Sequence, residues 1–279
     1  MDTPPRAFET AVGKFRRYQG TSNYMKSRNE LIMALGKINI KIAVQAALNH
    51  ALDLIRLNPQ DSMYVRSCVP TLFLRLGRDQ ECYSFCKWWV TVGHDYDYDW
   101  KDTRLPHHIM KNADAFEPVD AFERVRNFTR PDPNNRNVPS FSDLFHVVAV
   151  TLVKIRMLLT LHAIDDPAQA SHPSDTGKGT SPTYMSPIIT GNPVMTHGQN
   201  QKANIEKLEK QVKKLYDAVK RINVHFWRAL LKPYYDFTVS PYGFGMGDEG
   251  EMQSKLRECY NAWIETPGAI ELIRKLTEG

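Results

Sequence analysis

Between Arg75 and Trp100 the stretch RLGRDQECYSFCKWWVTVGHDYDYDW brings together the thiols of Cys82 and Cys86, the indoles of Trp88, Trp89 and Trp100, and the carboxylates of Asp95, Asp97 and Asp99. Thiolates hold zinc when two close ligand pairs converge. Cys82 and Cys86 lie one helical turn apart, but Cys68 and Cys259 make no second pair and no C-x-x-C occurs. The cysteines are therefore expected as buried structural side chains. The aspartates match the first three ligand positions of a calcium loop, yet Trp100 stands where the turn needs glycine and Pro106 where a bidentate glutamate is needed. The expected reading is a helix end running into a solvated acidic loop, with no metal and no cofactor. The competing reading is an apolar pocket lined by Trp88, Trp89, Trp100 and nearby histidines, which would make the protein a helical enzyme or small-molecule binder.

Other constellations are weaker. Nine histidines form no H-E-x-x-H; His107 and His108 look like an exposed loop pair, and His50, His146 and His162 fall on helices as packed or capping residues. YGFGMG at 242–247 alternates glycine with aromatic or Met residues, but it lacks the P-loop lysine and follows no strand. No G-x-S-x-G elbow is present either. No catalytic residue is assigned.

The elements that must position these residues read as helices. Ile42, Ala46, Leu48, Leu52 and Ile55 recur at helical intervals, and that helix must end before Asn58-Pro59. Asp61 and Ser62 can cap a second helix, SMYVRSCVPTLFLRL, which carries Pro70 in its interior and stops at Gly77. A third is expected from Asp79 to Val92, a short one over Val119–Arg126, and an apolar one over DLFHVVAVTLVKIRMLLTLHAI. Its apolar core, Val147 to Val153, is too short to cross a bilayer and is closed by Lys154 and Arg156, so no membrane association is expected. The stretch Asp165–Gln201 turns to Ser, Thr, Pro, Gly, Gln and Asn, and its removal is expected to leave the fold intact. Helix resumes from Lys202 towards Lys232, then over Glu251–Ile264 and Pro267–Thr277 with Thr266 as N-cap. The resulting division is an N-terminal extension (1–27), a helical-repeat region (28–164), a flexible linker or loop (165–201) and C-terminal helices on the same core (202–279).

LDLIRLNPQDSMYVRSCVPTLFLRLGRDQECYSF resembles the junction of two tetratricopeptide-type repeats. One helix closes at Leu57-Asn58-Pro59, an A helix follows, Leu76 to Asp79 make the turn, and Glu81-Cys82 open a B helix. The resemblance covers roughly Ile42 to Val92 and implies an all-α, tetratricopeptide-like helical-repeat array that binds a protein or peptide in a groove. On that alignment Tyr64, Ser67, Thr71 and Arg75 line the groove. Their spacing also places them on one helix side, opposite Val65, Val69, Leu72, Phe73 and Leu76. Arg75 is the expected anchor, since a guanidinium holds a peptide carboxylate by two parallel bonds. RLGRDQECYSFCKWW, DYDYDW and AWIETPGAIELIRK also resemble a set of fungal proteins, some with a MYND zinc finger. Four cysteines cannot build that finger.

Ile205, Leu208, Val212, Leu215, Val219, Ile222 and Phe226 form a seam at three- and four-residue steps, suited to the chain's own core or to a second copy. Beside it Lys207, Lys210, Lys214, Arg221, Arg228 and Lys232 make a basic stripe that reads as a solvated face, with nucleic-acid contact as the lesser alternative. The net charge of +5 over 279 residues does not demand an acidic partner. The N-terminal sequence has no secretion or presequence pattern, so the expected setting is the cytoplasm or nucleus. A non-catalytic adaptor is the leading expectation.

Overall fold

The computed structural model describes residues 2–94, 98–100, 110–123, 143–165, 184–197, 201–238 and 243–279. In chain order the α-helices are α1 (Ala7–Thr10), α2 (Gln19–Gly36), α3 (Lys41–Leu57), α4 (Val69–Arg75), α5 (Asp79–Val90), α6 (Leu144–Asp165), α7 (Pro187–Thr190), α8 (Pro193–His197), α9 (Gln201–Ile222), α10 (Phe226–Leu231), α11 (Tyr234–Thr238), α12 (Glu249–Ile264) and α13 (Ala269–Glu278). No strand occurs among the described residues, so the fold is all-α as the periodicity predicts.

The face that α3 buries is Val44, Ala47, Leu48, Ala51, Leu54 and Ile55. Ile42 stands in solvent instead, 82% exposed. Residues 1–27 are not a mere extension. Phe15 and Met25 are buried, and α2 runs through the expected boundary at 27/28. The pattern hides α2 because it buries few positions (Thr21, Met25, Ile32) while Leu31 and Met33 face outwards.

Pro70 does not kink an interior. The expected second helix is two pieces, a 3-10 turn at Val65–Ser67 and then α4, with Pro70 in its first turn where no N–H is needed. The Asp61 carboxylate caps the 3-10 turn, accepting from the Val65 and Arg66 amides at 2.8 and 2.9 Å; burial pushes its pKa up to about 6 against those bonds and Arg66. At the other end Gly77 sits at φ 72, and the Arg78 amide donates to Phe73 O and the Gly77 amide to Leu74 O. This left-handed double closure needs glycine.

Helix α6 is buried nearly all round. It is long and apolar enough to pass for a membrane span, but its residues lie inside the protein, with α9 as its main neighbour. The seam from Ile205 to Phe226 is buried within the chain. The expected run to Lys232 breaks at Asn223, whose side chain donates to Asp248 O and accepts from the His225 amide. Thr266 is not the cap of α13. Gly268 at φ 85 fills that place, and the Thr266 hydroxyl accepts from Arg156 Nε and donates to Ala262 O.

Two cations enter α6's core. Arg156 pairs with Asp79 and donates to Leu74 O, while the Tyr184 ring lies 4.2 Å beneath its guanidinium. Asp79 also accepts from Tyr184 Oη at 3.0 Å and Ser186 Oγ at 2.9 Å. Within 184–197, inside the expected linker, Ser186 and Ile189 are thus buried, while Met185 and Val194 stay exposed. Composition misses this because few residues hold the segment: the Tyr184 and Ser186 hydroxyls on Asp79, and Ile188, Ile189 and Met195 packed against the core. Lys154 Nζ donates to Ala115 O, to Gln211 Oε1 at 2.6 Å and to Glu117 O, pinning the 113–118 turn onto α6 and α9.

Candidate functional site

A cleft opens between α2, α4 and α12. One part, a cavity of about 390 Å³, is lined by Ile32 and Met33 of α2, Thr71, Leu72 and Arg75 of α4, and Ser254, Arg257, Glu258 and Asn261 of α12. The other, about 500 Å³, takes in Met63 to Cys68, Asp143, Phe145, Met246, Glu251 and Lys255. Met33, Cys68, Phe244, Ser254 and Glu258 line both, so the two cavities adjoin.

The local sequence explains the walls. Asp248 caps α12, accepting from the Glu251 amide at 2.7 Å and from the Gly245 amide at 2.5 Å. That second bond, with Gly247 at φ 84, ties 243–247 back over the cleft and leaves Phe244 and Met246 each about half exposed at its mouth. Tyr64 and Met33 are the other exposed apolar side chains there. Methionines adapt to irregular partners, and exposed aromatics supply contact area at low entropic cost.

All four residues expected in a groove line this cleft, Thr71 and Arg75 in one cavity and Tyr64 and Ser67 in the other. Their roles differ from the expectation. Tyr64 is exposed, while Ser67 and Thr71 are buried in the wall. Arg75 is not a free anchor: its side chain is 3% exposed and its guanidinium is held by Glu265 at 3.0 Å, Gly36 O at 2.7 Å and Asn39 Oδ1 at 2.8 Å. It braces α4 against the α2–α3 turn and the end of α12.

At the cleft floor Lys255 Nζ lies 5.1 Å from the Phe145 ring centroid and 5.9 Å from that of Phe244, and 3.4 Å from Glu258 Oε1. Glu258 Oε2 is buried and accepts no hydrogen bond. Burial, with the Glu258 charge nearby, raises the thiol pKa values of Cys68 and Cys259, so neither is a ready nucleophile.

Elsewhere the sequence candidates scatter. Cys82 and Cys86 are fully buried on α5. Trp88 and Trp89 pack edge to face at 5.1 Å, and Trp89 stacks on Trp100 at 5.8 Å and on His146 at 6.4 Å. These rings fill space between α5 and α6 and contribute nothing to the cleft's lining. Asp95, Asp97, His107 and His108 lie outside the described residues. Among the described residues no three His, Cys, Asp or Glu side chains gather as a metal site.

Lys207, Lys210, Lys214, Arg221, Arg228 and Lys232 are all exposed. Lys214 is engaged by Asp120 and Glu123 at 3.1 and 3.0 Å, which interrupts the stripe.

Sequence reasoning missed Met33, Phe244, Met246 and Glu258. The available signal was the glycine alternation at 243–247, which frees an aromatic and a methionine to project from a short loop. No protein-family model, curated protein or solved structure matches this chain.

Proposed function

We propose that the protein is a non-catalytic interaction module and that the α2–α4–α12 cleft receives a peptide segment of a protein partner. In this reading α2–α3 and α4–α5 act as two tetratricopeptide-like hairpins, and α12 closes the groove that an open array would leave. The observation that carries it is the grouping of Met33, Tyr64, Phe244 and Met246, exposed apolar side chains lining two adjoining cavities. Isolated exposed apolar residues are ordinary, but several converging on a concavity mark a contact surface.

The test compares tagged wild-type chain with the double variant Met33→Gln, Phe244→Gln, both sites being exposed enough to leave the melting temperature near the wild-type value. A protein captured by the wild type and lost by the variant is expected, and a crosslink from that protein to the cleft should map to α2 or α12. Identical capture by both would move the binding surface away from this cleft.

A further inference from the structure

The turn between α2 and α3 and the first residues of α3 hold three isoleucines in solvent. Ile38, Ile40 and Ile42 are 46%, 58% and 82% exposed. They alternate with Lys37, Asn39 and Lys41, which are exposed as well. Leu31 and Ala34, three apart on α2 and also exposed, lead up to them along the helix. Arg75 bonds Gly36 O, Asn39 Oδ1 and Glu265, which brings the end of α12, with its half-exposed Ile264, beside the same turn. Those bonds also fix the turn, so little further ordering is needed when its isoleucines bind. The charge here has one sign. No Asp or Glu occurs from Leu31 to Leu52; Glu30 precedes the patch on α2, and Glu265 is engaged by Arg75. Lys37 and Lys41 therefore set the local potential.

Charge and shape select the occupant. A two-fold contact with a second copy would set the lysines of one tip against those of the other. A protein partner would have to supply a groove, since the isoleucines project from a helix–helix corner and line neither cavity of the cleft. A lipid surface needs no groove. Its acyl boundary takes in apolar side chains, and lysine stems cross that boundary while their ammonium groups stay with anionic headgroups. We infer that the α2–α3 tip binds the surface of a bilayer containing anionic lipid, with Ile38, Ile40 and Ile42 inserted and Lys37 and Lys41 at the headgroups. A patch of this size gives weak, reversible attachment. The expectation of no membrane association rested on the length needed to span a bilayer, and interfacial binding requires no span. The site stands or falls independently of the peptide reading of the cleft.

The experiment is co-sedimentation of the full chain with phosphatidylcholine vesicles made with and without phosphatidylserine. Binding is expected with the anionic lipid and little without it. The double variant Ile40→Ser, Ile42→Ser should weaken it by at least about tenfold, because less apolar area leaves water. Lys37→Gln, Lys41→Gln should weaken it by about fivefold for each lysine. Both variants change exposed side chains and are checked for a wild-type melting temperature. Equal binding by the isoleucine variant and the wild type overturns the inference, since charge elsewhere on the chain would then suffice. Absence of binding to the anionic vesicles overturns it as well, and sedimentation velocity then tells whether the isoleucines join two copies instead.

Discussion

Arg156 Nη1 and Asp79 Oδ1 meet at 2.8 Å with both side chains withdrawn from solvent, joining α6 to the first turn of α5. The pair is completed by Leu74 O, Thr266 Oγ1, Tyr184 Oη and Ser186 Oγ, so removal of one partner strands a charge among groups arranged for it. Asp79→Ala is expected to lower unfolding free energy by about 3 to 5 kcal/mol, the usual cost of an orphaned buried charge. Adding Arg156→Met should return part of it. Urea denaturation of both variants measures this, and a loss below about 1 kcal/mol for Asp79→Ala would show that the pair is not a principal strut.

Lys154 gives the stability a pH dependence of known sign. Burial brings its pKa down from 10.5 to about 7, with Asp114 and Glu117 opposing and Lys207 and Lys87 adding to the shift. Between those values the unfolded chain binds the extra proton, so stability rises from pH 7 towards 10.5, and the cost of burying the amine stands at its full, constant value below pH 7. The slope is at most about 1.4 kcal/mol per pH unit. Lys154→Met should remove the slope whatever its effect on absolute stability. Parallel stability–pH curves for variant and wild type over pH 7 to 9 would contradict this.

The segment 184–197 should matter more than its composition suggests. Tyr184→Phe and Ser186→Ala each remove one bond to Asp79, and each is expected to cost about 1 kcal/mol. Excision of 184–197 should lower the melting temperature well beyond excision of 166–183, whose residues offer little apolar area. Equal melting temperatures for the two deletions would show that the segment is dispensable.

Asp248→Ala should loosen the cleft mouth and helix α12 together. The cap to the Glu251 amide accounts for about 1 kcal/mol. The bond to the Gly245 amide holds the loop that carries Phe244. Weaker binding of a cleft peptide with only a small drop in melting temperature is expected by calorimetry, and unchanged affinity would show that the loop is placed by other contacts.

The sequence made the long helices readable wherever burial follows a regular apolar step. The α9 seam, α6, α12 and the glycine turn after α4 are such cases, since one physical cause sets each. It failed where burial is sparse or polar. Helix α2 buries three side chains in eighteen residues, and the 184–197 segment is held by hydroxyls meeting Asp79 and by a few apolar side chains. The α4 face was legible as a line of residues, and all four line the cleft. What α4 faces was not, because Met33, Phe244 and Glu258 lie far away in sequence. The commitment of Arg75 to Glu265 depends on that same distant packing.

The cleft's walls come from opposite ends of the chain, α2 near one and α12 near the other, with α4 between them. A stretch shorter than 29–261 therefore lacks part of its lining. During synthesis the cleft can close only after the ribosome has delivered 243–261. A cleft ligand then acts as a clasp, and at a hundred times its dissociation constant it would hold the two ends together with about 2.7 kcal/mol of added stability. Occupancy would thereby be read out as protection of α2 from amide exchange and proteolysis, even when the ligand touches that helix only at Met33.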